Sequence, residues 1–185
     1  MTVQETWDYC REHPEQDMHD YAPFLREVAR GRVLEIGVCQ GFSTAAILLG
    51  LDDKQEGMLW SVDINPECGE RFNHPRWLFL AADSKRLEFA STYLEFFDLL
   101  LIDGDHAYTS AFGDLCRLEP FVKRGGTILA HDVSPSEEWL PKILRENWYP
   151  VEECRQAWKD FAALHPTWPS EIRPGMTGLG VMTKH

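Results

Sequence analysis

The residues best suited to chemistry stand where apolar runs end. Glu35 closes one run and leads into Gly37-Val-Cys-Gln-Gly41-Phe-Ser43-Thr44. Asp63 ends a second run and Asp83 a third, while LLLIDGDHAY delivers Asp103, Asp105 and His106 together and GGTILAHDV finishes on His131 and Asp132. A single acid at such a place is usually a solvated terminus or a helix cap. Five successive runs, each with a carboxylate at or near its exit, form a pattern. Desolvating several like charges in one crevice costs several kcal/mol unless ligand hydroxyls, amines or cations answer them. A donor-rich ligand or a metal is therefore implied.

Strands must carry those acids. Short apolar runs alternate with amphipathic ones, the signature of a parallel sheet flanked by helices. RVLEIG (32–37), MLWSVDI (58–64), WLFLAAD (77–83), DLLLID (98–103) and GGTILAHDV (125–133) read as five strands. FSTAAILLGL (42–51) reads as a helix, as does SKRLEFASTYLEFF (84–97) with Ser84 as its cap, and a further helix breaks near Pro120. EWLPKILRENW (138–148) is helical with Pro141 in or near its first turn. In an open parallel sheet, ligands bind beyond the carboxyl ends of the strands, where the strand order reverses, so all five acids point to one crevice.

At the end of the chain, WYPVEEC (148–154) and TGLGVMTK (177–184) read as two more strands, giving seven. Residues 155–176 between them, with Trp158, Trp168 and three prolines, read as a long insert suited to a lid or a wall of an acceptor pocket. Residues 1–31 form an N-terminal helical segment. Within it Tyr21, Phe24, Leu25 and Val28 share one helical face that ends at Gly31 and packs beside the first strand. The chain, 1–185, reads as one domain with no repeat and no linker.

Bulk properties narrow the partners. A net charge of -12 repels phosphate backbones and anionic membrane surfaces, which argues against nucleic acid and membrane partners. No run approaches the roughly 18 apolar residues of a membrane span, and the start has neither a basic stretch nor an apolar one. Five scattered cysteines with no C-x-x-C pair fit reduced thiols and a cytoplasmic location. A homodimer is the default for a chain of this size.

The glycine spacing is informative. A dinucleotide site would use G-x-G-x-x-G and a phosphate loop G-K-[ST]; this chain has only G-x-x-x-G. That spacing suits a ligand without phosphate but with a ribose for Asp63, a description S-adenosylmethionine meets. VLEIGVCQGFST, WSVDINPEC, LLLIDGDHAY and GGTILAHDV resemble, in order and spacing, the motifs of class I S-adenosylmethionine-dependent methyltransferases over roughly residues 20–150. Within that superfamily they are similar to the small-molecule O-methyltransferases, both the macrolide and aminocoumarin sugar enzymes and catechol O-methyltransferase.

The resemblance implies a Rossmann-like α/β domain: a mostly parallel seven-stranded sheet flanked by helices, with the last strand antiparallel. It implies that Glu35, Gly37 and Gly41 shape the methionine pocket, that Ser43 binds the methionine carboxylate, that Asp63 holds the ribose, and that Asp83 and Ser84 meet the adenine beside Asp103. It also implies a divalent cation on Asp103, His131 and Asp132, magnesium or manganese before iron or zinc. His131 departs from the oxygen ligand usual there and favours a softer ion. The acceptor is a small-molecule hydroxyl, whose proton falls to Asp105 in the pattern of the sugar enzymes or to His106 in that of the catechol enzymes. Two other classes stay open. One is a hydroxylase with iron on His106, His131 and an acid; the other is a non-catalytic module that only binds S-adenosylmethionine.

Overall fold

The computed structural model describes residues 1–134 and 150–185. In chain order the elements are α1 (Val3–Glu12), α2 (Ala22–Val28), β1 (Arg32–Ile36), α3 (Phe42–Lys54), β2 (Met58–Asp63), β3 (Trp77–Ala81), β4 (Phe97–Ile102), α4 (Tyr108–Leu118) and β5 (Val122–His131). After the undescribed residues come α5 (Pro150–Leu164), β6 (Ser170–Arg173) and β7 (Leu179–Thr183). The sheet runs β3-β2-β1-β4-β5-β7-β6. β1 to β5 pair in parallel, and β7 lies antiparallel to both β5 and β6. The Rossmann-like α/β architecture and the antiparallel last strand are as expected.

The central strands are apolar throughout because helices cover both faces. Successive side chains alternate between two cores. Val33, Leu99, Leu101 and Leu129 pack beneath α1–α3 with Leu25, Ile47 and Leu51. Leu34, Leu100, Ile102 and Ile128 pack beneath α4 and α5 with Leu115, Trp158 and Phe161. α1 is closed at its start by a capping box, in which Thr2 accepts from the Glu5 amide while the Glu5 carboxylate accepts from the Thr2 amide. The T-x-x-E signal for it stands in the sequence.

Three local expectations are overturned. Residues 148–154 were to form the sixth strand, but 150–154 belong to α5 and the sixth strand is Ser170–Arg173. The physical reason is legible afterwards: Cys154, Ala157, Trp158 and Phe161 are buried at i, i+3, i+4 and i+7, one stripe of a helix. Residues 155–176 are accordingly not an irregular lid. They supply α5 and β6, and Trp158 lies where any side chain at Gly180 would strike its ring. Residues 84–97 are not one helix either. They make two short 3-10 turns, Ser84–Arg86 and Ser91–Tyr93, and then enter β4. Ser91, Thr92 and Tyr93 are poor helix formers, and Phe89 is drawn instead against Phe97 and Phe121. The helix expected over 138–148 lies outside the described residues.

The N-terminal segment does more than cover β1. The Tyr21 hydroxyl accepts from the amides of Gly178 at 2.6 Å and Thr177 at 3.3 Å, and Asp20 accepts from the Met176 amide at 3.2 Å. These bonds stitch residues 17–21 to the lead-in of β7, at the carboxyl end of β5. No disulfide joins the five cysteines, and no helix among the described residues is long and apolar enough to cross a membrane.

Candidate functional site

From β1 the chain moves outward through β2 to β3, then returns to the other side of β1 as β4. The reversal opens a crevice at the ends of β1 and β4. The walls are tightly joined there: the Asp103 amide donates to the Ile36 carbonyl at 2.8 Å and the Gly37 amide to the Val62 carbonyl at 2.8 Å. Gly37 has φ +92°, and a Cβ on it would sit 1.9 Å from the Asp103 carbonyl oxygen, so no other residue fits. Gly41, with φ +83°, starts α3.

Asp63 reaches across this turn. One carboxylate oxygen accepts from the amides of Val38 at 2.8 Å and Cys39 at 3.1 Å, the other from Asn65 at 2.9 Å. Burial alone would raise its pKa, but the amides of Asn65, Val38 and Cys39 outweigh it and hold the carboxyl below the ordinary value. Asp63 is therefore a fixed anion, with three of its roughly four acceptor positions taken by these amides and Oδ1 the less occupied oxygen. Glu35, one strand away, is fully buried and accepts from the hydroxyls of Ser43 at 2.7 Å, Thr44 at 2.8 Å and Ser61 at 2.5 Å. Burial pushes it up to about 7 despite those three donors. The Ser43 hydroxyl is thus committed to Glu35, and what Ser43 can offer an anionic ligand is its first-turn amide at the positive end of α3.

A cavity of about 510 Å³ follows the crevice. It brings together Gly37, Asp63, Asp83, Ser84, Asp103, Asp105 and His106, with the side chain of Ile64 as an apolar wall. Ile64 is 76% exposed, far more than an apolar residue with only a packing role requires. Ser43 lines a smaller neighbouring space of about 150 Å³, whereas Glu35 lies behind both. Asp83 caps the 3-10 turn after β3 by accepting from the Lys85 amide. The Ser84 hydroxyl turns away from the cavity and donates to Asp114 at 2.8 Å.

The far end of the cavity holds the remaining candidates. Asp105 accepts from the Ser110 hydroxyl at 2.6 Å, Lys85 Nζ at 3.0 Å and the Ala107 amide at 3.2 Å, which together lower its pKa to about 2. His106 Nε2 stands 3.0 Å from Asp132 Oδ2, and that bond raises the imidazole above its usual value. His131 is buried, its Nδ1 3.0 Å from Asp103 Oδ1 and 3.5 Å from Asp132 Oδ1, while Nε2 meets the Thr177 hydroxyl at 3.0 Å. Burial alone would discharge the His131 ring, but the two carboxylates outweigh it and raise its pKa. Asp132 has φ +60°, an unfavourable conformation for a residue with a side chain, and the turn it makes aims the carboxylate between the two histidines.

Asp103, His131 and Asp132 each present one donor atom, all within 4.8 Å of one another. With Nε2 taken by Thr177, Nδ1 is the ring nitrogen that faces the acids. One nitrogen and two oxygens suit a manganese, iron or zinc ion better than magnesium, and the ion must displace a proton from that nitrogen. The hydroxylase arrangement does not form. Among the described residues the cluster contains one histidine, since His106 is turned to the outer oxygen of Asp132.

Sequence reasoning missed three contributors. Asp17 lines both cavities and is raised in pKa by burial; nothing in EQDMHD distinguishes it, because the stitching of Tyr21 and Asp20 to the β7 lead-in brings it there. Thr177 orients His131. Asp114, 1% exposed on α4, holds Ser84.

Comparison with known proteins agrees with this geometry. The methyltransferase domain family model matches residues 34–133, which contain all five acid-bearing strand ends and every cavity-lining residue named above except Asp17. No curated protein sequence matches the chain significantly. Solved structures share the fold. The S-adenosylhomocysteine-bound methyltransferase PaMTH1 of Podospora anserina has TM-score 0.65 and 19% identity over 99% of this chain and 87% of that one. A protein of Corynebacterium glutamicum has TM-score 0.66 and 17% identity over 98% and 88%. The O-methyltransferase NovP has TM-score 0.65 and 14% identity over 90% and 80%. With its crevice at the β1–β4 reversal and its motifs inside the matched span, the chain belongs to the methyltransferase domain family and is an S-adenosylmethionine-dependent methyltransferase.

Proposed function

We propose that this methyltransferase acts on a hydroxyl group of a small molecule, with His106 as the base and the cofactor held between Asp63 and the loop 82–85. The observation that carries the reading is the pair of opposed ends in one cavity. At one end a fixed anion, Asp63, lies beside the positive start of α3. At the other, an imidazole is oriented by a carboxylate, His106 Nε2 to Asp132 Oδ2 at 3.0 Å. The volume of about 510 Å³ suits an adenosyl compound and leaves the His106 end open.

Each end has its task. The remaining acceptor position of Asp63, on Oδ1, takes a ribose hydroxyl, Gly37 lets the backbone approach the methionyl part, and Ile64 covers the adenine with Asp83 at its edge. The cofactor supplies a sulfonium methyl group, which the acceptor oxygen takes in line as the carbon–sulfur bond breaks and its electron pair passes to sulfur. An alcohol holds its proton far above neutral pH, so a base must remove it. His106 fits because Asp132 both orients it and stabilises the imidazolium formed. Asp105, held near a pKa of 2 by Ser110, Lys85 and Ala107, is a weak base and serves instead to fix the turn after β4. Asp103, His131 and Asp132 would hold a divalent ion, which would lower the pKa of the acceptor hydroxyl as a Lewis acid. NovP, named an O-methyltransferase, shares the fold and supports the choice of oxygen.

The reading is tested by incubating the protein with methyl-deuterated S-adenosylmethionine and a panel of catechols and sugar-bearing metabolites, with and without manganese. Mass spectrometry then locates the label. Label on oxygen is expected; label confined to nitrogen or sulfur would defeat the hydroxyl assignment.

A further inference from the structure

Four cavity-lining residues, Ala82 to Lys85, belong to a segment with only a single 3-10 turn to shape it. Such a segment needs outside anchors to hold one conformation. α4 supplies them, although it lies behind the cavity wall. Asp114 Oδ2 accepts from the Ser84 hydroxyl at 2.8 Å, Arg117 Nη1 donates to the Ser84 carbonyl at 3.0 Å, and Asp114 and Arg117 are ion-paired to each other. The hydroxyl and the carbonyl of Ser84 are thereby both held by one charged pair. The Asp114 side chain is only 1% exposed. Arg117 is 36% exposed, so the charge that needs a reason is the buried Asp114 carboxylate: an apolar residue of similar volume would pack there equally well or better. The neighbouring link from Lys85 to Asp105 is half exposed and correspondingly weak.

We propose that Asp114 and Arg117 are positioning residues for cofactor recognition: without touching the ligand, they clamp Ser84 and so fix the loop that reads the adenine. The proposal rests on the cofactor placement given above. It separates the residue that meets the base, Asp83, from those that decide where Asp83 stands. It also explains why the Ser84 hydroxyl faces the helix rather than the cavity.

The test is calorimetric titration with S-adenosylhomocysteine and with S-inosylhomocysteine, which lacks the adenine amino group, on the unaltered chain and on Asp114→Ala, Asp114→Asn and Ser84→Ala. Thermal unfolding is followed in parallel. For Asp114→Ala the Kd of S-adenosylhomocysteine should rise about tenfold, the value of one lost buried charge-assisted bond. The Kd of the inosyl compound should rise less, so that discrimination between the two falls. Asp114→Asn keeps an acceptor for Ser84 and should lie between. Ser84→Ala cuts the grip from the loop side and should reproduce the loss of discrimination even if Asp114→Ala fails to fold. Folded variants that bind both compounds as the unaltered chain does, or that lose affinity for both equally, would overturn the clamp. An unaltered chain that binds neither compound would overturn the cofactor placement itself, and the clamp with it.

Discussion

Glu35 and Asp63 stand on neighbouring parallel strands, Glu35 in register with Ser61 and Asp63 two residues further on, and they face opposite demands. Three side-chain hydroxyls enclose Glu35, no solvent reaches it, and burial pushes it up to about 7. Three backbone amides fix Asp63 at the cavity wall, and it stays anionic. The difference teaches that an acid at a strand end is a ligand group only when its donors leave lone pairs facing open space. Glu35 ties β1, β2 and α3 together; Asp63 presents charge.

That contrast can be broken by substitution. Glu35→Ala strands three buried hydroxyls and should cost ~3–5 kcal/mol in denaturant unfolding; a loss below about 1 kcal/mol would refute its structural role. His106→Ala should lower single-turnover methyl transfer on the order of 10²–10³-fold with S-adenosylhomocysteine affinity unchanged, whereas a parallel loss of affinity would place His106 among the cofactor contacts. Asp63→Ala should raise the Kd of S-adenosylhomocysteine about tenfold to a hundredfold in calorimetry. Unfolding free energy should fall far less than in Glu35→Ala, and if the two variants proved equally unstable the contrast would vanish.

A last effect, small at any single pH step, sharpens the same contrast through pH. The folded-state pKa of Glu35 is raised from 4.5 to about 7, so its contribution is fully present below pH 4.5 and is lost as pH rises through 7. Between pH 5 and 8 the unaltered chain should lose stability relative to Glu35→Gln, with a slope approaching ~1 kcal/mol per pH unit. A difference that does not change with pH would show that Glu35 is already ionised at the acid end.

Most of the sheet was legible because a strand covered on both faces must be apolar along its whole length, and runs such as LLLI satisfy that rule locally. α5 was misread for the complementary reason. Its stripe of Cys154, Ala157, Trp158 and Phe161 is interrupted by charged residues, and WYPVEEC has a strand-like composition. The segment 84–97 departs from a helix because Phe89 answers to Phe121 and Phe96 to Trp60, partners distant in the chain, not to a helical face of their own.

The acids at strand ends were legible as a set, since parallel topology carries every strand exit to one edge. Their division of labour was not. Whether the hydroxyls of Ser43 and Ser84 serve a ligand or the carboxylates of Glu35 and Asp114, and whether Asp105 is free or held by Lys85, all depend on which group arrives from another element.

The sequence by itself determined the first five strands, their parallel α/β arrangement and a set of acids at one edge of the sheet, because these follow from local hydrophobic period and the geometry of parallel connections. Only the tertiary structure decided which acids stay open, which histidine is turned to which carboxylate, and that Asp17 joins the cavity wall while Thr177 and Asp114 hold His131 and Ser84. Hydrogen-bond partners separated by tens of residues are chosen by packing, and packing is a property of the folded chain rather than of any stretch of it.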